Sequence, residues 1–430
     1  GGAGMLTLGW VTLLLLIVLF AGLPVAFSLG ATSVLLVGLF DLPVKLIAST
    51  VFTSLDSFVV IAIPLFVLMS RILLDGKVGD DLFEVMNVWV RHLPGGLAIA
   101  TILACAFFAA ISGSGAATAA TIGMVAYPAM IERGYQKRFI LGLLACGGTL
   151  GILIPPSIPL IVFGAVTEES IGRLFIAGII PGLVLTAILI VYAVYRSKRG
   201  GYVPMEAASW PERFRVTRRN LWGIALPFLI LGGIYTGVFT PTEAAAVGLT
   251  YSLFITLFIY RTLGPRDLPD ICLKAVGTSC MIALIISGAL LFGRVLTLIE
   301  IPQRLTALII DWKLSALMFV LAMNILMLFL GCILETVSII LLTVPLVAPI
   351  LEALKIDPIW YAIVLTVNME MALVTPPVGM NLYVINGLSD DIHMSEVIRG
   401  VAPFIVILAA FLLLTMLFPP MSTWLPSMMK

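Results

Sequence analysis

Runs of about 20 mostly apolar residues recur roughly ten times along the chain, and a helix crossing the hydrocarbon core of a bilayer needs a run of that length. In that core every backbone N–H and C=O must be satisfied within the protein, so such runs become helices. Of the 430 residues, 61% are hydrophobic and 11% are charged, against about 25% charged in a soluble domain. A water-folded chain of this length would lack a polar skin. This excludes a soluble enzyme, a nucleic-acid binder and a disordered scaffold. The expected class is an all-α polytopic membrane protein.

The runs place spans at 6–22, 24–40 and 54–74, an amphipathic helix at 79–92, an apolar pair at 95–112 and 116–132, a long run at 138–168 and a span at 171–195. A polar linker, 196–219, follows. The second half keeps the order, with spans at 220–239, 241–260 and 273–297, a short segment at 300–311, a pair at 314–333 and 336–353, a long run at 358–388 and a span at 395–418. Residues 419–430 form a tail. Gly1 to Gly4 read as an appended stretch before Met5, and the first run lacks the basic start of a cleavable signal.

The halves resemble each other. Leu150 to Gly164 (LGILIPPSIPLIVFG) aligns with Met371 to Ile385 (MALVTPPVGMNLYVI), placing Pro155 and Pro156 on Pro376 and Pro377 at an offset of 221. The same offset pairs Pro128 with Pro349, and an offset of 222 pairs Gly178 and Pro181 with Gly400 and Pro403. Matches in one order at one spacing indicate an internal repeat, with residues 5–195 as one unit and 220–418 as the other.

Basic residues beside spans favour the cytoplasmic face. The linker holds Arg196, Lys198, Arg199, Arg213, Arg215, Arg218 and Arg219 and is placed inside. The joint with Arg133, Lys137 and Arg138 is then also inside. The pair 95–132 starts near Arg91 and ends near Arg133, so it enters and returns from one side as a re-entrant hairpin. Each half then has five spans and one hairpin. The odd span count inverts the second half, so hairpin 314–353 opens from outside and both termini are periplasmic.

Candidate chemistry lies where helices break. Ser112, Gly113, Ser114 and Gly115 interrupt the first hairpin and free backbone groups, which only protein or a water cavity satisfies at that depth. The small residues Ala116 to Ala120 read as close helix packing. In the run GGTLGILIPPSIP (Gly147 to Pro159), Pro155 and Pro156 remove consecutive amides and predict an unwound stretch. Thr375 precedes the equivalent Pro376, where its hydroxyl either supplies a ligand for a hard cation or bonds its own backbone. Glu335, at the second tip, is either a functional acid or a cap of the half-helix behind it. Glu370, Asn368 and Asn381 flank the second break and either bond substrate or satisfy broken backbone.

Other residues read blandly. Cys105, Cys146, Cys272, Cys280 and Cys332 form no CxxC pair and read as packing residues. His92 and His393 sit in polar joints. Thr240 to Glu243 is a capping box, and Asp80, Asp81 and Glu84 belong to the surface helix. The basic linker sets orientation first and meets lipid or a partner second. With no Walker A, HExxH or GxSxG sequence, no enzyme is expected. Inverted repeats, hairpins and broken helices are the plan of a secondary transporter with its site near the membrane midplane. Many hydroxyls and freed carbonyls, and few acids, favour sodium coupling over a proton relay.

The runs ISGSGAATAATIG (from Ile111), LGILIPPSIP, GGIYTGVFTPTEAAAVG (from Gly232) and VTPPVGMNLYVING (from Val374) resemble the large membrane subunit of TRAP transporters from Met5 onward. The resemblance implies sodium-coupled uptake of a small organic acid across a bacterial inner membrane. It also implies a periplasmic substrate-binding protein, a small four-helix membrane subunit and an elevator mechanism. Carried over by position, one Na+ site draws on Ser112, Ser114, Gly148, Gly151 and Ile154. A second draws on Gly331, Thr336, Met371, Thr375 and Val378, although Met371-Ala372 replaces a glycine-containing step frequent in the family. Substrate would lie among Gly115, Ser157, Glu335 and Asn381. C4-dicarboxylates, sialic acid, keto acids and sugar acids remain open as cargo. A stand-alone anion symporter of similar plan and a passive channel are the alternatives.

Overall fold

The computed structural model describes residues 9–429 apart from 12, 16, 20 and 333. The first expected span, 6–22, therefore lies partly outside the described residues. All regular structure among those residues is helical.

The first half holds α1 (Gly9–Leu19), α2 (Val25–Leu39), α3 (Lys45–Leu55), α4 (Phe58–Asp75), α5 (Val78–Val90), α6 (Gly96–Ser112), α7 (Gly115–Glu132), α8 (Lys137–Leu153), α9 (Ile158–Thr167) and α10 (Ile171–Gly200). Between the halves lies α11 (Trp210–Arg219). The second half holds α12 (Leu221–Tyr235), α13 (Pro241–Phe254) with a π-helical turn (Ile255–Ile259), α14 (Leu268–Leu298), α15 (Ile301–Asp311), α16 (Ala316–Gly331), α17 (Thr336–Ala353), α18 (Pro358–Leu373), α19 (Met380–Asn386), α20 (Met394–Leu417) and α21 (Pro420–Ser427). Among the described residues, seven helical stretches are long and apolar enough to cross a membrane. Moved by 221 positions, α7 falls on the bounds of α17, and α8 and α9 fall on α18 and α19 within about a turn.

Local chemistry sets the helix starts. Ser170, Ser209 and Ser315 accept the first free amides of α10, α11 and α16, and the Asp357 carboxylate does so for α18. The expected capping box forms on α13, with Thr240 N–H donating to Glu243 Oε2 at 2.8 Å.

Two groups of helices are distinguishable by packing. The helices α2, α3, α4, α13 and α14 pack on one another, and α6, α7, α8, α18, α19 and α20 form the other group. They meet where α4 touches α6, and α9 and α17, which pack on each other, bridge the groups by touching α4 and α14. The broken helices occupy the interior. Every residue of α8 from Phe139 to Leu153 is buried, as is every residue of α18 from Ile359 to Leu373. A helix apolar on all sides is stable only when surrounded. Phe27, Phe52, Met318 and Phe329 instead lie exposed on outer helices, as apolar side chains do when lipid is the solvent.

Three helices were not expected from the sequence. The α3 and α11 segments are too short for a span-length window, and α21 lies in what read as a tail. The expected span at 54–74 starts at Phe58, because the backbone breaks at Asp56 and Ser57.

Between apolar helices in lipid, packing depends on close approach through small residues. A Cβ on Gly142 of α8 would fall on the Gly400 carbonyl of α20, and one on Gly400 would fall on the Arg138 carbonyl. Gly142→Val is therefore expected to destabilise the protein by about 1–3 kcal/mol or more. Gly277→Ala, inside α14, faces open space and should hold or slightly raise the melting temperature. Equal melting temperatures for the two variants would refute the close-packed crossing.

Candidate functional site

The first tip starts from a glycine that the turn requires. Gly113 has φ +62°, and a Cβ there would lie 2.6 Å from the Pro156 carbonyl oxygen. Ser114 is extended and its hydroxyl accepts from Ala117 N–H at 3.4 Å, starting α7. Thr118 Oγ1 donates to the Ser114 carbonyl at 2.9 Å, and Ser112 Oγ lies 2.9 Å from Thr118 Oγ1. With the Thr118 proton engaged, Ser112 donates along this chain, accepts from Ser114 N–H at 3.4 Å and keeps one lone pair free. Thr118 sits within the run read as simple packing. Its spacing four residues after Ser114 was the available signal.

The first break is sealed. Pro155 and Pro156 lack the amides that would bond the Gly151 and Ile152 carbonyls. Ser157 Oγ donates to Ile152 O at 2.5 Å, leaving Gly151 O without a helical donor. Ser157 is fully buried, so its hydroxyl closes the break, whereas the sequence suggested that it faces substrate. The space between Ser112, Gly113, Pro156 and Ile161 is too tight for water. Gly151 packs against the Ser114 carbonyl and Thr118, and Gly148 packs against Ala119. Ser112, Ser114, Gly148 and Gly151 thus come together. The Ile154 side chain turns away towards Gly182 of α10.

The second break is more open. Pro376 and Pro377 withhold donors from the Ala372 and Leu373 carbonyls. Thr375 N–H bonds Ala372 O at 3.2 Å, and Thr375 Oγ1 donates to Met371 O at 2.6 Å. Thr375 therefore bonds its own backbone through its hydroxyl proton, and both lone pairs of its oxygen stay free. Gly379, at φ +46°, turns the chain into α19 with its Cβ position 3.1 Å from Leu373 O. Pro377 and Val378 are exposed, whereas the first break is buried throughout. At the second tip, Gly331 packs on Ala372. Thr336 is buried, and Glu335 is the N-terminal flanking residue of α17 without a side-chain capping bond.

The two halves meet at Gly115. A Cβ there would lie 3.2 Å from Leu373 Cδ1, 3.3 Å from Gly148 O and 3.7 Å from Asn381 Nδ2. Asn381 Nδ2 donates to Ala145 O at 3.0 Å, while its buried Oδ1 has no protein partner. One tip, both broken helices and α19 therefore converge on small and amide groups. Nearby, Asn368 donates to Asn324 O and Oδ1, both at 2.8 Å, joining α18 to α16. Glu370 is fully buried with both carboxyl oxygens unpartnered. The oxygens gathered at the first tip and the two breaks are hydroxyls, carbonyls and amides, a donor set that suits a hard monovalent cation, and the second tip adds the Glu335 carboxyl. An apolar groove of about 660 Å³ lies elsewhere, between α2, α3 and α14 near Phe27, Val51 and Leu284, and no tip or break residue lines it.

A polar cluster pins the site from one end. Tyr127 OH donates to Asp391 Oδ2 at 2.7 Å, and Lys137 Nζ lies 3.2 Å from Asp391 and 3.0 Å from Glu396. The Ser389 and Tyr127 hydroxyls, then Lys137, hold the Asp391 carboxyl well below the usual carboxylate range. A lowered folded-state value contributes stability that is present at neutral pH and lost as the pH falls. Asp391→Asn should lower the melting temperature at neutral pH, with the gap closing below about pH 4. A gap unchanged at low pH would show that the cluster acts through packing.

Residues 12–421 match the family described as "Tripartite ATP-independent periplasmic transporter, DctM component". The chain is 42% identical to the C4-dicarboxylate TRAP transporter large permease protein DctM of Pseudomonas aeruginosa, over 93% of this chain and 94% of that one. It is 34% identical to the sialic acid TRAP transporter large permease protein SiaM of Vibrio cholerae, over 98% and 97%. The solved YdaH transporter of Alcanivorax borkumensis matches with a TM-score of 0.62 at 12% identity, over 94% of this chain and 97% of that one, which is a likeness of fold alone. With the family matched across nearly the whole chain and the apolar helices in place, this multi-pass membrane protein belongs to the DctM family of TRAP transporter large permeases.

Proposed function

We propose that the chain is the transporting subunit of a sodium-coupled importer for a small organic acid, working in a bacterial inner membrane. The observation that carries this reading is the convergence at Gly115, where the first tip meets Gly148, Leu373 and Asn381. Two freed helix ends per half supply carbonyls for cations, and half-helix amino ends supply positive potential for a carboxylate. One Na+ is held by Ser112, Ser114, Gly148, Gly151 and Ile154, with oxygen from the hydroxyl chain and the carbonyl that Pro155 leaves free. A second is held by Gly331, Thr336, Met371, Thr375 and Val378. The cargo lies between the tips, with Gly115, Asn381 and Glu335 beside it and Ser157 behind.

The separation of α2, α3, α4, α13 and α14 from the helices around the breaks supports an elevator, in which the hairpins and broken helices (α6–α9 and α16–α19) travel against a scaffold of the remaining spans. The basic residues of the linker support an orientation with the linker and the first hairpin's opening inside and the second hairpin's opening outside. A periplasmic binding protein delivers the acid, and a small four-helix membrane subunit completes the scaffold. A C4-dicarboxylate is the first cargo to test, given the greater identity to the P. aeruginosa relative than to the sialic acid relative.

The test is uptake into proteoliposomes containing this chain and the small subunit, with binding protein supplied. Uphill accumulation driven by an inward sodium gradient alone is expected. Uptake without binding protein would favour a stand-alone carrier, and equilibration without accumulation would favour a channel. Losing one oxygen ligand to a cation costs about 1.5–3 kcal/mol, so Thr375→Val should raise the sodium concentration for half-maximal uptake about tenfold or more. Ser114→Ala, which leaves the carbonyl in place, should have a smaller effect. Unchanged sodium dependence in a folded Thr375→Val protein would remove Thr375 from the site.

A further inference from the structure

We propose that α11 is a lipid-binding strut that lies in the membrane surface and takes the phosphate of anionic phospholipids on Arg215 and Arg218. Transport as described above makes no use of this helix, and the proposal does not depend on that reading.

A tether fixes its location. Only Asn220 separates Arg219 from α12, an apolar helix whose first residues, Leu221 and Trp222, are exposed. A helix joined through one residue to the start of an apolar helix that lipid would cover stays close to the membrane surface. No residue of α11 is buried. Trp210 and Phe214 lie one turn apart on one line, 62% and 63% exposed. Exposed aromatics on a short basic helix mark the level where acyl chains meet headgroups.

One side of α11, including one edge of Trp210 that meets Trp89 at a ring-centre distance of 6.2 Å, is already engaged with protein. Arg91 grips Glu212 with two parallel bonds of 2.9 and 3.0 Å and donates to Glu206 O at 2.9 Å. Trp89 Nε1 donates to Thr217 Oγ1 at 2.8 Å. The Arg213 guanidinium lies 5.1 Å from the Trp210 ring centre and 5.7 Å from that of Trp89. Arg219 lies near Asp81. Arg215, Arg218 and Arg219 are exposed and without an ion pair among the described residues, and Arg215 and Arg218 sit three residues apart on the same side of the helix.

Charge complementarity selects the occupant. Two guanidinium forks beside an aromatic pair, with no acid on that face, match a phosphate whose headgroup carries no compensating amine. The consequence reaches the first hairpin, because α11 packs on α5, and α5 packs on α6 and α7. A lipid held at α11 therefore braces the surface helix on which the hairpin rests.

Native mass spectrometry of the full chain, purified with its small membrane subunit and equilibrated with mixed phosphatidylglycerol and phosphatidylcholine, tests this. Wild type should retain phosphatidylglycerol preferentially. Each basic residue near a charged surface contributes about 1 kcal/mol, so Arg215→Gln with Arg218→Gln should reduce the preference at least about tenfold. Each single variant should lose part of it. Lys313→Gln with Lys355→Gln removes equal charge from other exposed positions and should leave the preference intact. Three results would overturn the proposal. One is a double variant with undiminished preference. Another is an equal loss in the Lys313 and Lys355 control. The third is retained lipid preference with loss of the small subunit, which would make this face a protein contact.

Discussion

A backbone polar group in hydrocarbon has no water to turn to, and the rest of this structure depends on how that constraint is met where helices stop halfway. Leaving such a group unsatisfied costs several kcal/mol. The protein answers with short hydroxyl side chains placed within a turn of each break. Ser157 covers Ile152 O, while Thr375 and Thr118 add a second bond to Met371 O and Ser114 O, which also accept the Val374 and Thr118 amides. What remains uncovered, such as Gly151 O and the Asn381 amide oxygen, lies close to Gly115 or Ser114, where the halves meet. The devices that stabilise the breaks thus also decide which oxygens are left for a ligand.

The halves share a plan but differ in how tightly they close it. On the first side, glycines at 148 and 151 let α8 lie against the tip itself, and Ile154 to Ser157 are all buried. On the second side, Met369 and Ala372 stand at the corresponding positions, and Pro377 and Val378 reach the surface. Side-chain volume explains the difference, since a glycine permits backbone contact that a methionine prevents. Similar sequences at the two breaks therefore yield one sealed and one accessible environment.

Polar groups in the interior are few and placed with purpose. Asn368 and Asn324 link the second hairpin to its broken helix through paired bonds, and such contacts between membrane helices contribute about 1 kcal/mol each. Glu370 is fully buried in α18 and has no charged partner among the described residues. An acid at such a position is uncommon and tends to be functional. At the edge, the tie from Lys137 to Asp391 and Glu396 joins the start of α8 to the start of α20. That tie is an exposed counterpart of the buried amide pair.

The sequence by itself determined the helical class, the order of elements, the breaks at Pro155 and Pro376, and the spacing that relates the halves. All of these follow from local rules: apolar length, missing proline amides and capping residues. It also exposed the residues of the first tip, because Ser-Gly-Ser-Gly cannot continue a helix cheaply. Only the tertiary structure decided that Gly115 lies beside Leu373 and Asn381. It also decided that Ser157 turns inward, that Thr118 completes a hydroxyl chain, and that the second break is open. The bond from Asn381 to Ala145 joins residues 236 positions apart. No local periodicity encodes such a contact, because side-chain packing across helices, rather than the conformation of either segment, selects which faces meet.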